Sequence, residues 1–310
     1  VYVADRGTNK VWKITPYGRT ASSFGVTGSL PRAIAIDAAG NIYTANYNSN
    51  NVSKITPAGV SSTLGTTDNN PIGIAIDAAG NVYTANYDSN TVSKITPEGT
   101  STLFGTTGSR PRAIAIDDAG NVYTANYDSN TVSKITPGGI STILGATDVN
   151  PVGIAIDAAG SIYTVNEYSR NVSKITSDGV ATIFATTDID PRAIAIDVAG
   201  NVYIASYGSK TVSKITPDGI STLFGTTQRA PTAIAIDALG NVYTANYGQR
   251  ATSAQFNYLS VSKIRDASVV SCPAQGLLSP LRITATQRYY ASFDPTGGLS
   301  NGTEYFITLI

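Results

Sequence analysis

Residues 31–70 read PRAIAIDAAGNIYTANYNSNNVSKITPAGVSSTLGTTDNN, and closely similar segments follow one another along the chain. The later copies begin at Pro71, Pro111, Pro151, Pro191 and Pro231, so the sequence repeats every 40 residues. Self-similarity at a period of about 20–50 residues is typical of solenoids, propellers and related repeat architectures. The repeat therefore decides the fold class before any single residue does.

Each copy predicts four short strands separated by turns. In the first copy the strands are Ala33–Asp37, Asn41–Tyr47, Asn51–Ile55 and Val60–Gly65. They are rich in β-branched and aromatic residues, and no segment keeps a helical period. The Thr-Pro-x-Gly turns suit tight reversals, since Pro presets φ and Gly tolerates positive φ. Because one four-stranded sheet cannot bury both of its faces, we expect the copies to pack radially in an all-β β-propeller.

The number of blades follows from counting strand patterns. The second and third patterns occur seven times, beginning with Val1–Asp5 and Val11–Ile14, whereas the first-strand pattern IAID occurs six times. The chain therefore starts inside a blade, and we expect about seven four-stranded blades, with six or eight as alternatives. Pro280–Thr286 keeps the repeat spacing and is predicted to close the ring beside the N-terminal strand. The propeller would span residues 1–286, and residues 287–310 would form a C-terminal β-hairpin.

The repeat core resembles that of a known family of propellers. Its pattern is Pro-x-(Gly/Ala)-Ile-Ala-Ile-Asp-x-x-Gly-Asn-(Ile/Val)-Tyr-x-Ala, followed by Val-x-Lys-Ile. Across residues 1–264 this resembles the NHL-repeat propellers and the related streptogramin-lyase-like repeat family. The resemblance implies a propeller fold and a range of functions that includes lyases, RNA binders, receptor modules and scaffolds. It also implies that lyase members depend on histidines and that RNA-binding members present a strongly basic face.

The absence of histidine narrows the chemistry most. The 310 residues contain no His, which removes histidine general bases, Ser-His-Asp systems and His-ligated metals. Together with the resemblance, this predicts that the chain is not an enzyme. Lys+Arg and Asp+Glu are balanced at 21 each, so no basic field exists to attract nucleic acid. No apolar run reaches the ~18 residues of a membrane span.

An aspartate closes the first strand of every full copy. The six positions are Asp37, Asp77, Asp117, Asp157, Asp197 and Asp237. Propeller geometry would place them in a ring near one end of the channel, where carboxylate oxygens suit Ca²⁺ or another hard cation. The alternative is a local turn in which each Asp accepts hydrogen bonds from its own Ala-Ala-Gly loop. We therefore expect no cofactor, with Ca²⁺ as the alternative.

Arginine begins the first strand in every second copy, at Arg32, Arg112 and Arg192. Three guanidinium groups that converge on a channel mouth would suit a carboxylate, a phosphate or an acidic sugar. The alternatives are pairing with loop acids such as Asp188 and Asp190, or exposure to solvent.

Tyrosines end the second strand in most copies, among them Tyr47, Tyr87 and Tyr127. Each is followed by Asn or Asp residues in a loop. Aromatic rings beside such polar side chains are a common arrangement for stacking and hydrogen-bonding a sugar. Packing at the rim of the blades is the alternative. These tyrosines and the three arginines are the candidate ligand-binding residues.

Sequence variation between copies falls in loops that a propeller places on one face. The loops after the first and third strands are nearly constant, whereas those after the second and fourth differ and include the long Gly248–Ser260 segment. A variable face on a rigid scaffold predicts a recognition surface for a protein or carbohydrate partner. Asn51, Asn171 and Asn301 match the glycosylation pattern.

The sequence as a whole favours a non-enzymatic, secreted or cell-surface module for binding, adhesion, structure or assembly. Low charge and a surface rich in Ser, Thr and Asn support this interpretation. The C-terminal tail could pair with the exposed edge of a second molecule and support self-assembly. The alternative is a lyase-like propeller enzyme that uses a carboxylate-bound metal.

Overall fold

The computed structural model describes residues 1–14, 21–227, 229–247, 260–264, 289–292 and 305–308 of the chain. Every regular element in this part of the chain is a β-strand. It contains no helix of the length and apolar character needed to cross a membrane.

The strands are short, four to six residues each. In chain order they are β1 (Tyr2–Asp5), β2 (Lys10–Ile14), β3 (Ala21–Val26), β4 (Pro31–Ile36), β5 (Ile42–Asn46), β6 (Asn51–Ile55), β7 (Ser61–Thr66), β8 (Pro71–Ile76), β9 (Val82–Asn86), β10 (Thr91–Ile95), β11 (Ser101–Thr106), β12 (Pro111–Ile116), β13 (Val122–Asn126), β14 (Thr131–Ile135), β15 (Ser141–Ala146), β16 (Pro151–Ile156), β17 (Ile162–Asn166), β18 (Asn171–Ile175), β19 (Ala181–Thr186), β20 (Pro191–Ile196), β21 (Val202–Ser206), β22 (Thr211–Ile215), β23 (Ser221–Thr226), β24 (Pro231–Ile236), β25 (Val242–Asn246), β26 (Ser260–Ile264), β27 (Tyr289–Ser292) and β28 (Tyr305–Thr308).

These strands form seven four-stranded antiparallel sheets, the blades of the propeller. Blade 1 has the order β28-β1-β2-β3, and blades 2 to 7 take the following strands in sets of four, from β4–β7 to β24–β27. The first strand of each blade is innermost. Inner strands of neighbouring blades contact one another around the whole ring, from β4 to β24 and then through β28 back to β4. The predicted all-β propeller of seven blades is confirmed.

Strands from the two ends of the sequence close the ring, as predicted. β28 pairs antiparallel with β1 and places Ile307 opposite Val3. In blade 2 the same register position is held by Ile34 opposite Thr44. The C-terminal strand therefore supplies the innermost strand that the N-terminal blade lacks.

The identity of the closing strand differs from the prediction. Pro280–Thr286, predicted for this position, lies outside the described residues, and β28 holds the place beside β1. The prediction was wrong because it carried the 40-residue spacing past Ile264, whereas the fourth strand of blade 7 begins only at Tyr289. The described residues between 287 and 310 form two strands, which lie in two different blades and do not pair with each other as a hairpin. A domain boundary at residue 286 and self-assembly through the tail stay predictions.

The apolar core lies between neighbouring blades. Tyr43 and Val52 of blade 2 pack with Val82 and Ile95 of blade 3, and none of these side chains is more than 2% exposed. The corresponding residues of blades 3 and 4 repeat the cluster. Since apolar burial contributes ~25 cal/mol per Å², each blade depends for its stability on the next, and a closed ring leaves no blade without a neighbour.

The two faces of the ring carry different loops. In blade 2 the connection before the first strand (residues 27–30) meets the turn after the second strand (residues 47–50), where the Tyr47 N–H donates to the Leu30 carbonyl at 2.9 Å. We refer to the face that carries these loops as the mouth face. The turns at residues 37–41 and 56–60 lie at the opposite ends of the strands, on what we refer to as the turn face.

Candidate functional site

The central channel opens on the mouth face into a cavity of ≈ 270 Å³. It is lined by the second residue of the inner strand in six successive blades: Arg32, Ile72, Arg112, Val152, Arg192 and Thr232. Tyr207 and Tyr247 also contribute to its wall. Because the repeat keeps its register, the three predicted arginines are brought together at one cavity. Their role in ligand binding stays a prediction.

Each of these arginines lies over a tyrosine ring of its own blade. The distances from guanidinium carbon to ring centroid are 5.0 Å for Arg32 over Tyr47, 4.8 Å for Arg112 over Tyr127 and 5.3 Å for Arg192 over Tyr207. Blade 3 carries Ile72 instead of an arginine, and there Arg110 covers Tyr87 at 5.4 Å. Cation–π attraction positions the guanidinium groups at the mouth, so the predicted tyrosines and arginines form one arrangement.

Buried hydrogen bonds hold the loops that carry these tyrosines. In blade 2, Asn46 donates from Nδ2 to Ser53 Oγ and accepts from Thr44 Oγ1, both at 2.9 Å. The same Ser53 Oγ accepts the Gly28 N–H at 2.9 Å, which ties the connection from blade 1 to the interior of blade 2. The Thr-Asn-Ser set recurs in blades 3, 4 and 5. Buried polar groups satisfied in this way fix the mouth loops on the scaffold.

Blade 5 carries Glu167 at the position where Tyr47, Tyr87 and Tyr127 stand in their blades. Its Oε2 lies 3.2 Å from Nη1 of Arg112 and its Oε1 lies 3.1 Å from Nη2 of Arg192. Arg192 also pairs with Asp190, with 2.7 Å between Nε and Oδ1. The predicted alternative of pairing with Asp190 is therefore found as well, whereas Asp188 accepts hydrogen bonds from hydroxyl groups of blade 6. Two of the three arginines that line the cavity therefore pair with carboxylates, those of Glu167 and Asp190.

A second cavity of ≈ 500 Å³ lies beside Glu167, and we refer to it as the side groove. Its lining residues are Tyr127, Asn150, Glu167, Tyr168, Arg170, Ile189 and Asp190. The Tyr168 side chain is 77% exposed. The sequence prediction missed Glu167 and this groove. The signal that could have found them is the break in the repeat at residues 167–168, where Glu-Tyr stands in place of Tyr followed by Asn, Asp or Gly.

The six predicted metal-binding aspartates lie on the turn face, and the structure does not bring them together. In blade 2, Asp37 accepts from the backbone N–H of Asn41 at 2.8 Å, from Asn41 Nδ2 at 2.8 Å and from the Tyr43 hydroxyl at 2.9 Å. The other five aspartates accept from the equivalent backbone N–H and Tyr hydroxyl. The local turn that the sequence analysis gave as the alternative is therefore present in every full copy.

These contacts change the acidity of both partners. Burial alone would raise the pKa of Asp37, but the hydrogen bonds from Asn41 and Tyr43 outweigh it and hold that pKa below its ordinary value. Burial and the neighbouring carboxylate raise the pKa of Tyr43. In the described part of the chain, no three His, Cys, Asp or Glu side chains are close enough together to hold a metal ion. The Ca²⁺ site stays a prediction.

One of the sequence-predicted glycosylation acceptors is already engaged. Asn171 is buried, and its Nδ2 donates to Asp148 Oδ2 at 2.6 Å. A glycan at this nitrogen would require that contact to break. Asn301 and residues 248–259 of the long loop lie outside the described residues.

Fold and site together define a seven-bladed β-propeller with an arginine- and tyrosine-lined mouth. The sequence profile of the virginiamycin B lyase family matches residues 1–252. The chain belongs to the virginiamycin B lyase family, and the resemblance drawn from the repeat core is confirmed. No curated protein sequence matches the chain.

Solved structures with this fold include lyases and a protein of a different kind. Selenomethionine-substituted virginiamycin B lyase from Staphylococcus aureus superposes with a TM-score of 0.70 at 20% identity, over 79% of this chain and 87% of that one. A streptogramin B lyase structure gives 0.70 at 19% identity, over 77% and 84%. A chain of a nidogen/laminin complex gives 0.58 at 16% identity, over 71% and 91%. At these identities the likeness shows the fold.

The prediction that the chain is not an enzyme is corrected by these matches. The family that covers residues 1–252 is a lyase family, and two of the similar structures are lyases. The inference failed because it rested on the missing histidine. Carboxylates and tyrosine hydroxyls also transfer protons in active sites, and Glu167 contacts two of the arginines that line the cavity.

Proposed function

We propose that the chain binds a small molecule that bears carboxylate or phosphate groups at the mouth, with Arg32, Arg112 and Arg192 as the anion contacts. The observation that carries this proposal is the single cavity into which alternate blades bring three guanidinium groups. Guanidinium groups recognise such anions through paired, charge-assisted hydrogen bonds. Tyr207 and Tyr247, whose ring centroids lie 5.9 Å apart, add apolar surface to the same cavity.

Citrate is a suitable first probe, because it carries three carboxylates. Isothermal titration calorimetry at low ionic strength should show binding, and Arg112→Gln should weaken it by about tenfold. Arg110→Gln is the matched control. Arg110 lies on the same face, stacks on Tyr87 and pairs with Asp128, but it does not line the cavity. Equal losses in both variants, or no binding by the unmodified chain, would contradict the proposal.

Membership of the lyase family supports a second candidate function, which is lyase-type cleavage of the molecule bound at the mouth. A catalytically inactive histidine-to-alanine variant of the Staphylococcus aureus virginiamycin B lyase has been crystallised with quinupristin, and it superposes with a TM-score of 0.69 at 19% identity, over 77% of this chain and 85% of that one. This chain contains no histidine. Glu167 contacts two of the mouth arginines, so it is the candidate proton acceptor, with the guanidinium groups stabilising developing negative charge.

Incubation with quinupristin followed by mass spectrometry tests this second function. A lyase breaks a bond without adding water, so the product masses should account for the substrate mass alone, whereas a hydrolase adds one water. Glu167→Gln should abolish turnover. Glu98→Gln, which removes the same charge from the turn face, should retain it. Unchanged quinupristin would remove this compound as a substrate and leave the binding proposal standing.

We also propose that the protein acts at the cell exterior and that the mouth-face loops contact a protein or carbohydrate partner. The low fraction of charged residues, 14%, and the variation of these loops between blades support this proposal. Labelling of intact cells with a membrane-impermeant amine reagent should modify the chain, and a chain protected until the cells are lysed would count against an exterior location.

A further inference from the structure

The position that follows the second strand is the most informative one on the mouth face. It holds tyrosine in five blades: Tyr47, Tyr87, Tyr127, Tyr207 and Tyr247. In blade 5 it holds Glu167. The backbone is the same in both cases, since the Glu167 N–H donates to the Asn150 carbonyl at 2.9 Å as the Tyr47 N–H donates to that of Leu30 at 2.9 Å. The exchange therefore changes the side chain and leaves the loop as it is.

The Glu167 carboxylate occupies the place expected of a bound acid. One oxygen contacts Arg112 of blade 4 and the other contacts Arg192 of blade 6, at 3.2 and 3.1 Å. The side chains are 21%, 25% and 27% exposed for Glu167, Arg112 and Arg192, respectively, so the pairs are largely shielded from solvent. Two of the three mouth arginines are thus already engaged by a carboxylate of the chain itself.

We propose that Glu167 is an internal competitor for the anion site and sets its specificity. This inference rests on the proposed binding of acidic molecules at the mouth. A ligand carboxylate that pairs with Arg112 and Arg192 must displace Glu167. A small anion makes no further contact that would offset the displacement of Glu167, so its binding is weak. An acid joined to an aromatic ring gains additional contacts in the side groove beside Glu167. Tyr127, Tyr168 and Ile189 of that groove offer the apolar surface. The favoured ligand class is therefore an aromatic carboxylate.

Three Glu variants test the competition with citrate as probe. Glu167→Gln removes the competing charge, and Glu167→Tyr introduces the residue that five other blades carry at this position, without altering the loop. Both variants should bind citrate about tenfold more tightly than the unmodified chain. In them the two partly shielded ion pairs of Glu167 with Arg112 and Arg192 do not have to be broken when citrate binds. Glu98→Gln, which removes one charge from the turn face, should match the unmodified chain. Circular dichroism of each variant checks that the β-fold is intact.

A second probe tests whether the side groove binds the aromatic ring. N-acetyl-phenylalanine carries one carboxylate and one aromatic ring. Tyr168→Ala should weaken its binding several-fold and leave citrate binding unchanged. Equal effects on both probes, or on neither, would contradict the assignment of the aromatic ring to the side groove.

The outcomes separate this inference from the proposed function. Citrate binding that Arg112→Gln weakens and that Glu167→Gln leaves unchanged or weakens would overturn the competition and keep the anion site. Binding that the unmodified chain shows and that both Glu167 variants strengthen would support both. Binding that appears only in the Glu167 variants would support the competition and overturn the proposed binding by the unmodified chain. Absence of binding in the unmodified chain and in both Glu167 variants would overturn both.

Discussion

The two faces of the ring place different residues where the backbone is left-handed. Among the described residues, the turn-face positions with positive φ are all glycine, such as Gly40 at φ 81° and Gly59 at φ 83°. The mouth-face positions are all non-glycine, such as Leu30 at 55°, Asn50 at 47° and Arg110 at 53°. A Cβ in this region costs about 1–2 kcal/mol, and less where the side chain is Asn or Asp. The turn face therefore avoids this cost by using glycine, whereas the mouth face carries side chains at positions where the backbone is left-handed.

The carboxylates repeat this contrast. Asp37 on the turn face is satisfied within its own blade, by Asn41 and Tyr43. Glu167 on the mouth face is satisfied by arginines of the two neighbouring blades. Because the hydrogen bonds of Asp37 lie within one blade, each turn can form without the rest of the ring. The ion pairs of Glu167 form only when blades 4, 5 and 6 are all in place. Truncations and substitutions that affect both faces, one face or one residue should therefore change the stability of the chain to different extents.

The largest effect is expected from opening the ring, on which both faces depend. A chain that ends at residue 304 lacks β28 and leaves the inner edge of β1 without its partner. We expect this to lower the free energy of unfolding by about 3 kcal/mol or more, through lost ladder hydrogen bonds and contacts between blades. Urea unfolding measures it, with a chain that ends at residue 308 as the control. Equal midpoints for the two chains would show that β28 does not close the ring.

Much of this architecture could be predicted from the repeat, because a strict 40-residue period places equivalent residues at equivalent positions in successive blades. The convergence of the arginines needed only that Arg32, Arg112 and Arg192 hold equivalent positions. The closing strand could not be predicted, since the long segments at residues 248–259 and 265–288 break the period in blade 7. The break in the repeat at residues 167–168 marks Glu167 in the sequence, but it does not name the partners of that side chain, since Arg112 is 55 residues away. Such contacts depend on how far the side chains of neighbouring blades reach, which the repeat does not specify.

Low pH tests the carboxylates of the turn face. Four of the six aspartates that close a first strand, Asp37, Asp77, Asp117 and Asp237, have a pKa below the ordinary 3.8, because the Asn and Tyr hydrogen bonds outweigh burial. A carboxyl of this kind stabilises the fold above its ordinary pKa, and the contribution is lost as the pH falls through its folded value. Changing all four to Asn should therefore flatten the fall of the urea midpoint between about pH 4 and pH 2.

Asp5 provides the internal contrast for that experiment. It is buried in blade 1, and burial raises its pKa against the effect of its hydrogen bonds with Thr8 and Gly7. A raised carboxyl pKa favours the folded chain in acid, with the gain developing as the pH falls from the folded value to the ordinary one. Asp5→Asn should steepen the acid loss that the fourfold variant flattens. Changes of the same sign in both variants would contradict this assignment.

The smallest effect is expected at Leu30, where the mouth face carries a strained residue with no polar role. The connections that enter blades 3 and 5 place Asn70 and Asn150 at the equivalent point, with φ of 59° and 60°. Asn tolerates this region better than Leu, and the Nδ2 of Asn70 also donates to the Tyr47 carbonyl at 3.4 Å. Leu30→Asn should therefore raise the free energy of unfolding by about 0.5–1 kcal/mol, measured in urea. Leu30→Ala keeps the strained Cβ and should give no such gain. If Leu30→Asn lost stability instead, packing of the leucine side chain would outweigh its backbone strain, and the contrast between the faces would reflect loop packing rather than tolerated strain.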